Sequence, residues 1–354
     1  MAEFQTIETE LMAKSVQELS QNAESKTLLE NFMYEVSDGE SMNAPVPLLE
    51  IPVVNIGLLT SPSASVEEMQ KMQSALSSCG YIQVINHGME SSFLDKVREV
   101  QKQFFQLPEA EKKIYSKEVN GIQGYGHDHI ILSKHASRNW ADRLFLIVYP
   151  EHGRNLKFWP KNPKAFREVI EEYTEKLGLL TEVIFKAMAK SLILEEDSFL
   201  KQNGEKATMS ARFNYYPPCP RPDAVLGVKP HQDASTITYI VQDNEVESLQ
   251  VLKDNQWFKV SIVPHAILLN VGNQVEIMSN GIFKSPLHRV VTNSERERCS
   301  LAIFCFPDPE KEIGPIDKLV TESNPRLYKT IKDYVGNHFQ RIQQAKTPIE
   351  AAKI

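Results

Sequence analysis

Two pairs of polar residues, His231 with Asp233 and Arg298 with Ser300, each stand two positions apart in runs rich in β-branched and aromatic residues. Residues two apart on a strand leave the same face, so each pair fixes two polar groups on one side of its run. Burying such a side is costly unless something meets it. The run Thr236-Ile-Thr-Tyr-Ile-Val predicts a strand over Pro230–Val241 with His231 and Asp233 on a common face. His288 heads another β-rich run, His288-Arg-Val-Val-Thr. Two neutral imidazoles and one carboxylate form a facial set that leaves a metal's opposite side open, an arrangement that favours non-haem Fe(II).

Arg298 and Ser300 open the run Arg298-Cys-Ser-Leu-Ala-Ile-Phe-Cys-Phe, which is predicted to pair with the His288 strand through a turn at Asn293-Ser294-Glu295. That pairing would set Ser300 opposite His288. An inward guanidinium calls for an anion, and its planar fork suits a carboxylate. The same parity sends Ala302, Phe304 and Phe306 inward, as a pocket wall or as core. Arg212 shares a face with Asn214 and Tyr216.

Taken singly, H-x-D, a lone His and R-x-S are common. In this order, and preceded by Asn214-Tyr-Tyr-Pro-Pro-Cys-Pro, they resemble the plant 2-oxoglutarate- and Fe(II)-dependent dioxygenases, with likeness to flavonoid-oxygenase-like and codeine/thebaine-demethylase-like members. The resemblance runs from Ile51-Pro-Val-Val-Asn-Ile through Gly80-Tyr-Ile-Gln-Val-Ile-Asn-His-Gly and Trp140-Ala-Asp to Phe306-Pro, leaving out about the first fifty residues and the last few. It implies that His231, Asp233 and His288 hold Fe(II), that Arg298 and Ser300 bind the distal carboxylate of 2-oxoglutarate, that Tyr216 supports that carboxylate, and that Asn214 sits near the chelating end. It also implies O2 as a second cosubstrate, stimulation by ascorbate, and release of succinate and CO2. Hydroxylation, O-demethylation and desaturation of a small specialised metabolite all lie within its chemistry. A phenolic, alkaloid or terpenoid that is flat and largely apolar is the expected guest. Phe304, Phe306, Arg212 and Gln232 are candidate substrate contacts, and the resemblance adds Phe145 and Arg143. Gln232 departs from the Thr or Ser that many relatives carry there. An iron oxidase of the same fold that does not use 2-oxoglutarate, and a non-catalytic small-molecule binder, are the alternatives.

The fold class expected is mixed α and β. Short strands from Met209 to about Phe306 suggest an antiparallel double-stranded β-helix, or jelly roll, beside an N-terminal α/β region, scaffold helices and a C-terminal helix. The expected divisions are an arm and linker over 1–48, an N-terminal dioxygenase region over 49–205, the catalytic core over 206–310 and a helical segment over 311–354. A net charge of -7 gives no basic footprint, so neither nucleic acid nor an anionic membrane is an expected partner. Cys79, Cys219, Cys299 and Cys305 show no C-x-x-C spacing, which suits a reducing compartment. With no signal-peptide pattern, a cytoplasmic monomer is expected.

Further elements are predicted along the chain: a short helix around Ser15-Val-Gln-Glu-Leu, a strand over Leu49–Ile56, a helix from Ser65 with Glu68 in a capping box, and a strand over Tyr81–Ile85. A helix from Ser92, a strand over Trp140–Tyr149 and a long scaffold helix from Phe166 to about Leu194 follow. Gly121–Gly126 reads as a mobile loop, and Val275-Glu-Ile-Met as part of the strand rhythm. Asn324-Pro325 reads as the start of an amphipathic helix, for packing or as a lid. His87 is weighed as a fourth ligand and read as a hydrogen-bonded turn residue. His127, His129 and His135 are read as facing solvent or substrate rather than a metal.

Overall fold

The computed structural model describes residues 14–21, 29–34, 45–61, 65–118, 121–127, 137–343 and 347–354. His129 and His135 lie outside them. In chain order the elements are α1 (Val16–Gln21), β1 (Leu48–Leu49), β2 (Val53–Asn55), α2 (Ile56–Leu59), α3 (Ser65–Ser78), β3 (Tyr81–Ile85), α4 (Ser91–Gln106), α5 (Glu109–Lys113), β4 (Gly124–Gly126), β5 (Asp142–Tyr149), α6 (Phe166–Ser191) and α7 (Ser198–Asn203). Then come β6 (Thr208–Tyr216), β7 (Leu226–His231), β8 (Ile237–Val241), β9 (Leu249–Lys253), β10 (Gln256–Val260), β11 (Ile267–Val271), α8 (Asn273–Met278), β12 (His288–Val291), β13 (Arg298–Phe306), β14 (Glu312–Ile313), β15 (Ile331–Lys332) and α9 (Tyr334–Gln343).

Two facing sheets form the jelly roll. The larger has the order β2-β3-β11-β8-β13-β6-β5-β4, and the smaller β1-β10-β9-β12-β7. Alternation along the strands sorts the side chains between two cores. Leu301, Ile303, Leu144, Leu146 and Phe213 face outward onto α3, α4 and α6, where they meet Met72, Phe104 and Ile184 in the main apolar cluster. Their neighbours in sequence turn the other way. Ala302, Tyr216, Ile240 and Leu268 fill a smaller cluster between the sheets with Leu249, Val251 and Val290 of the smaller sheet. The scaffold helix α6 buries Phe166, Val169, Tyr173, Leu177, Leu180, Ile184 and Met188, the stripe its helical spacing requires. α1 packs as an arm through Val16 and Leu19 against Trp140, Phe32 and Val225.

Several sequence expectations are corrected. Leu49–Ile56 is not one strand: it splits at Ile51-Pro52 into β1, which joins the smaller sheet, and β2, which joins the larger. Pro230–Val241 likewise breaks after His231, because the chain crosses from the smaller sheet to the larger between β7 and β8. β12 and β13 do not form a hairpin. β12 lies between β7 and β9, while β13 crosses over to lie between β6 and β8, so Ser300 pairs with Asn214 rather than His288. Part of the glycine-rich loop, Gly124–Gly126, is an edge strand on β5. Val275–Met278 belongs to helix α8.

The C-terminal helix starts only at Tyr334. Before it, Asn280 holds the chain extended by donating to the carbonyls of Asn324 and Pro325 and accepting from Leu327 N. The capping box at Ser65 does not form: Glu68 accepts from the Asn55 backbone at 2.6 Å and pairs with Lys71, tying α3 to β2. Val66, in the first turn of α3, is 64% exposed.

Candidate metal and cosubstrate site

β7 ends on His231 and β12 begins on His288, and the two residues are cross-strand partners with ring centroids 4.2 Å apart. Each ring has its Nδ1 against a backbone carbonyl, Lys229 O at 2.8 Å and Pro286 O at 3.0 Å. Donation from Nδ1 to those carbonyls leaves each Nε2 with a lone pair, the tautomer that a metal needs. Asp233 enters from the crossing segment. Its Oδ2 accepts from Thr238 Oγ1 at 2.7 Å and Asn270 Nδ2 at 2.9 Å. Its Oδ1 lies 3.7 Å from His231 Nε2 and 3.8 Å from His288 Nε2. One ligand atom from each of the three residues falls within 4.8 Å of the others.

Burial, then His288, pulls the His231 pKa down to about 4, so the ring is neutral near pH 7. Burial alone would raise Asp233, but His288 and His231, with the Asn270 and Thr238 donors, hold it below the ordinary carboxylate range. The side chains of Asp233 and His288 are enclosed, while that of His231 is 33% exposed, so the group opens on one side. Two imidazoles, each with its Nε2 free of a backbone partner, and a carboxylate, converging and open on one face, fit Fe(II).

A second polar group stands on the inner face of β13 and β6. Arg298 is opposite Tyr216 and Ser300 is opposite Asn214. The Arg298 guanidinium lies over the Tyr216 ring at 5.2 Å, its Nη1 donates to Ser300 Oγ at 3.3 Å, and Asn214 Nδ2 reaches the same oxygen at 3.4 Å. Arg298 is 3% exposed. Among the described residues no carboxylate pairs with it and its Nε has no hydrogen-bond partner. A buried guanidinium of this kind is stable when an anion meets it.

Comparison with known proteins gives the family. The family model described as the 2OG-Fe(II) oxygenase superfamily matches residues 207–307, and the one described as the non-haem dioxygenase in morphine synthesis N-terminal region matches 51–162. A flavonol synthase/flavanone 3-hydroxylase of Eustoma exaltatum subsp. russellianum is 40% identical over 302 residues, 84% of this chain and 88% of that protein. The chain belongs to the 2OG-Fe(II) oxygenase superfamily. It is similar also to codeine O-demethylase of Papaver somniferum, 39% identical over 79% of this chain and 78% of that protein. The crystal structure of JOX2 in complex with 2OG, Fe and JA matches with a TM-score of 0.84 and 33% identity, covering 96% of this chain and 98% of that one. The protein is therefore a 2-oxoglutarate-dependent dioxygenase, an oxidoreductase whose cofactors are Fe(II) and 2-oxoglutarate. Among the described residues no helix is long and apolar enough to cross a membrane.

The other predicted oxygenase residues divide. Phe304, Arg212 and Phe145 share the inner face with Arg298 and Ser300: Arg212 is opposite both Ala302 and Phe145, and Phe304 stacks on Phe306 at 6.2 Å. Arg212 Nε donates to Asn214 Oδ1 at 2.6 Å. Arg143, opposite Asn214, donates to the carbonyls of Ile122 and Gly124 with its guanidinium 5.5 Å from the Phe145 ring. Gln232 Nε2 donates to Ser285 O at 2.7 Å, linking the Asp233 segment to the approach to His288. His87 is a turn residue, bonded to His265 O and Met89 N.

Sequence reasoning missed Asn270 and Thr238, which orient Asp233, and Gln101 of α4, which donates to the carbonyls of Asn214 and Ser300. Their signal is the lone polar residue in an apolar run, as in Ile267-Leu-Leu-Asn-Val.

Proposed function

We propose that His231, Asp233 and His288 hold the iron, that Arg298 and Ser300 bind the distal carboxylate of 2-oxoglutarate with support from Tyr216, and that Asn214 lies near its chelating end. The single observation that carries this reading is Arg298, a guanidinium buried without an anionic partner among the described residues, on the sheet face that Asp233 also approaches. The protein residues have limited and definite tasks. The Lys229 and Pro286 carbonyls fix the imidazole tautomers, and Asn270 and Thr238 turn one oxygen of Asp233 toward the rings. Iron, 2-oxoglutarate and O2, when bound, supply an oxidative decarboxylation to succinate and CO2 coupled to oxidation of a substrate C–H bond.

The substrate is a small, flat, largely apolar specialised metabolite, a phenolic, alkaloid or terpenoid, held against Phe304, Phe306 and Phe145 with Arg212 at its polar end. Support comes from the shared face of these residues and from relatives whose names span flavonoid hydroxylation and opiate demethylation. The test is succinate formation by anaerobically purified protein given Fe(II), ascorbate, 2-oxoglutarate and O2 with a panel of such compounds. Stimulation of succinate by one scaffold supports the reading and identifies the guest class. Oxidation of a panel compound without any need for 2-oxoglutarate would sink it.

A further inference from the structure

One row of residues crosses the inner face of the larger sheet in register: Tyr81 of β3 opposite Asn270 of β11, Asn270 opposite Thr238 of β8, and Thr238 opposite Phe304 of β13. Partners of this kind have Cβ atoms about 4.5–5.5 Å apart. The middle two both bond Oδ2 of Asp233. Tyr81 comes next in the row, fully buried, with its ring edge-on to His288 at 6.3 Å between centroids. It packs in the cluster between the sheets with Tyr216, Ile240 and Ala302.

The Tyr81 hydroxyl has no hydrogen-bond partner among the described residues. Nor has Oδ1 of Asn270 beside it, since the amide nitrogen is the atom committed to Asp233. Leaving a buried hydroxyl unmade costs about 1–3 kcal/mol, so packing alone would favour phenylalanine. The phenol O–H is a donor, and its oxygen is enclosed here. A donor here meets its match in an anionic or keto oxygen brought beside His288.

We propose that Tyr81 is a cosubstrate-binding residue whose hydroxyl donates a hydrogen bond to an oxygen at the iron-chelating end of 2-oxoglutarate. The proposal rests on the assignment of the iron and 2-oxoglutarate residues made above. Arg298 then holds one end of the cosubstrate and Tyr81 the other, so the molecule is fixed in orientation before any substrate arrives.

The test is an anaerobic titration of the Fe(II)-loaded protein with 2-oxoglutarate, following the visible charge-transfer absorption of the chelate and, separately, the rise in melting temperature. Tyr81→Phe keeps the ring and removes only the hydroxyl. The expected result is a Kd for 2-oxoglutarate about tenfold weaker, a displaced absorption band and a smaller thermal rise, with iron affinity in the absence of 2-oxoglutarate unchanged. An unchanged Kd with an unmoved band would overturn the proposal and leave Tyr81 as core. Arg298→Ala in the same titration separates the two assignments. If it weakens or abolishes binding while Tyr81→Phe binds as the parent does, only the Tyr81 proposal falls; if Arg298→Ala binds as the parent does, the cosubstrate pocket itself is misassigned.

Discussion

At the scale of single residues the site is a problem of uncompensated polarity. Arg298 is the sharpest case, because its charge is enclosed without a carboxylate among the described residues. Removing one partner of a buried charge pair costs about 2–5 kcal/mol, so Arg298→Ala is expected to weaken 2-oxoglutarate binding by at least thirtyfold, on the order of the lower bound, while iron stays bound. Calorimetric titration checks both, and an unaltered 2-oxoglutarate affinity would remove Arg298 from its role. Gln232 is a different kind of residue. Its amide ties the Asp233 segment to Ser285, three residues before His288, and it touches neither imidazole through that bond. Gln232→Thr shortens the side chain and cuts the tie, so product distribution should change more than iron affinity; equal losses in both would contradict this.

At the scale of elements, Trp140-Ala-Asp holds the arm against the body. Asp142, the last residue of Trp140-Ala-Asp, accepts from the backbone N–H groups of Val16 and Gln17 at 2.8 Å each, so a strand residue closes the free end of α1. Trp140 Nε1 donates to Pro217 O and its ring meets Phe32 edge-on. Burial pushes the Asp142 carboxyl up to about 7 against the pull of the two donors, which makes the anchor costly as well as tight. Asp142→Ala removes two bonds to a buried carboxyl and should lower stability by roughly 2–3 kcal/mol while opening the arm to proteolysis. Limited proteolysis with mass mapping checks this; an arm as resistant as the parent's would show that apolar packing holds it alone.

At the scale of the whole molecule, the C-terminal helix is joined to the metal segment. Tyr334 Oη accepts from Asn273 Nδ2 at 2.8 Å, Asn273 N donates to Asp233 O at 2.8 Å, and His338 packs on Tyr334 one turn further on. Burial lowers the His338 pKa to about 4, with Asp233 opposing. An unfolded histidine takes up its proton near pH 6.5, so between about 6.5 and 4 the unfolded chain binds more protons than the folded one. Stability is then complete above about pH 6.5 and is lost as pH falls toward 4, by at most about 3 kcal/mol from this residue. His231 shifts in the same direction and adds to the loss. Melting curves of the parent and His338→Gln over this range test the assignment: the variant should lose less stability on acidification, and parallel curves would refute it.

The sequence by itself determined the residue types and the faces they share. Parity alone placed Arg298 and Ser300 together, and it sent Leu301 and Ile303 to the helices and Ala302 and Phe304 between the sheets. Helical spacing alone fixed the buried stripe of α6. These are local properties, set by the periods of strand and helix. What no local rule carries is which sheet a strand enters. Whether β13 pairs with β12 or crosses to β6, where the chain leaves β7 after His231, and whether 325–333 coils or lies extended under Asn280 are decided by edges and partners far away in the chain. The convergence of His231, Asp233 and His288 belongs to that second kind. Asp233 reaches the imidazoles because the chain breaks there to change sheets, and because Asn270 and Thr238, on two other strands, turn its carboxylate toward them.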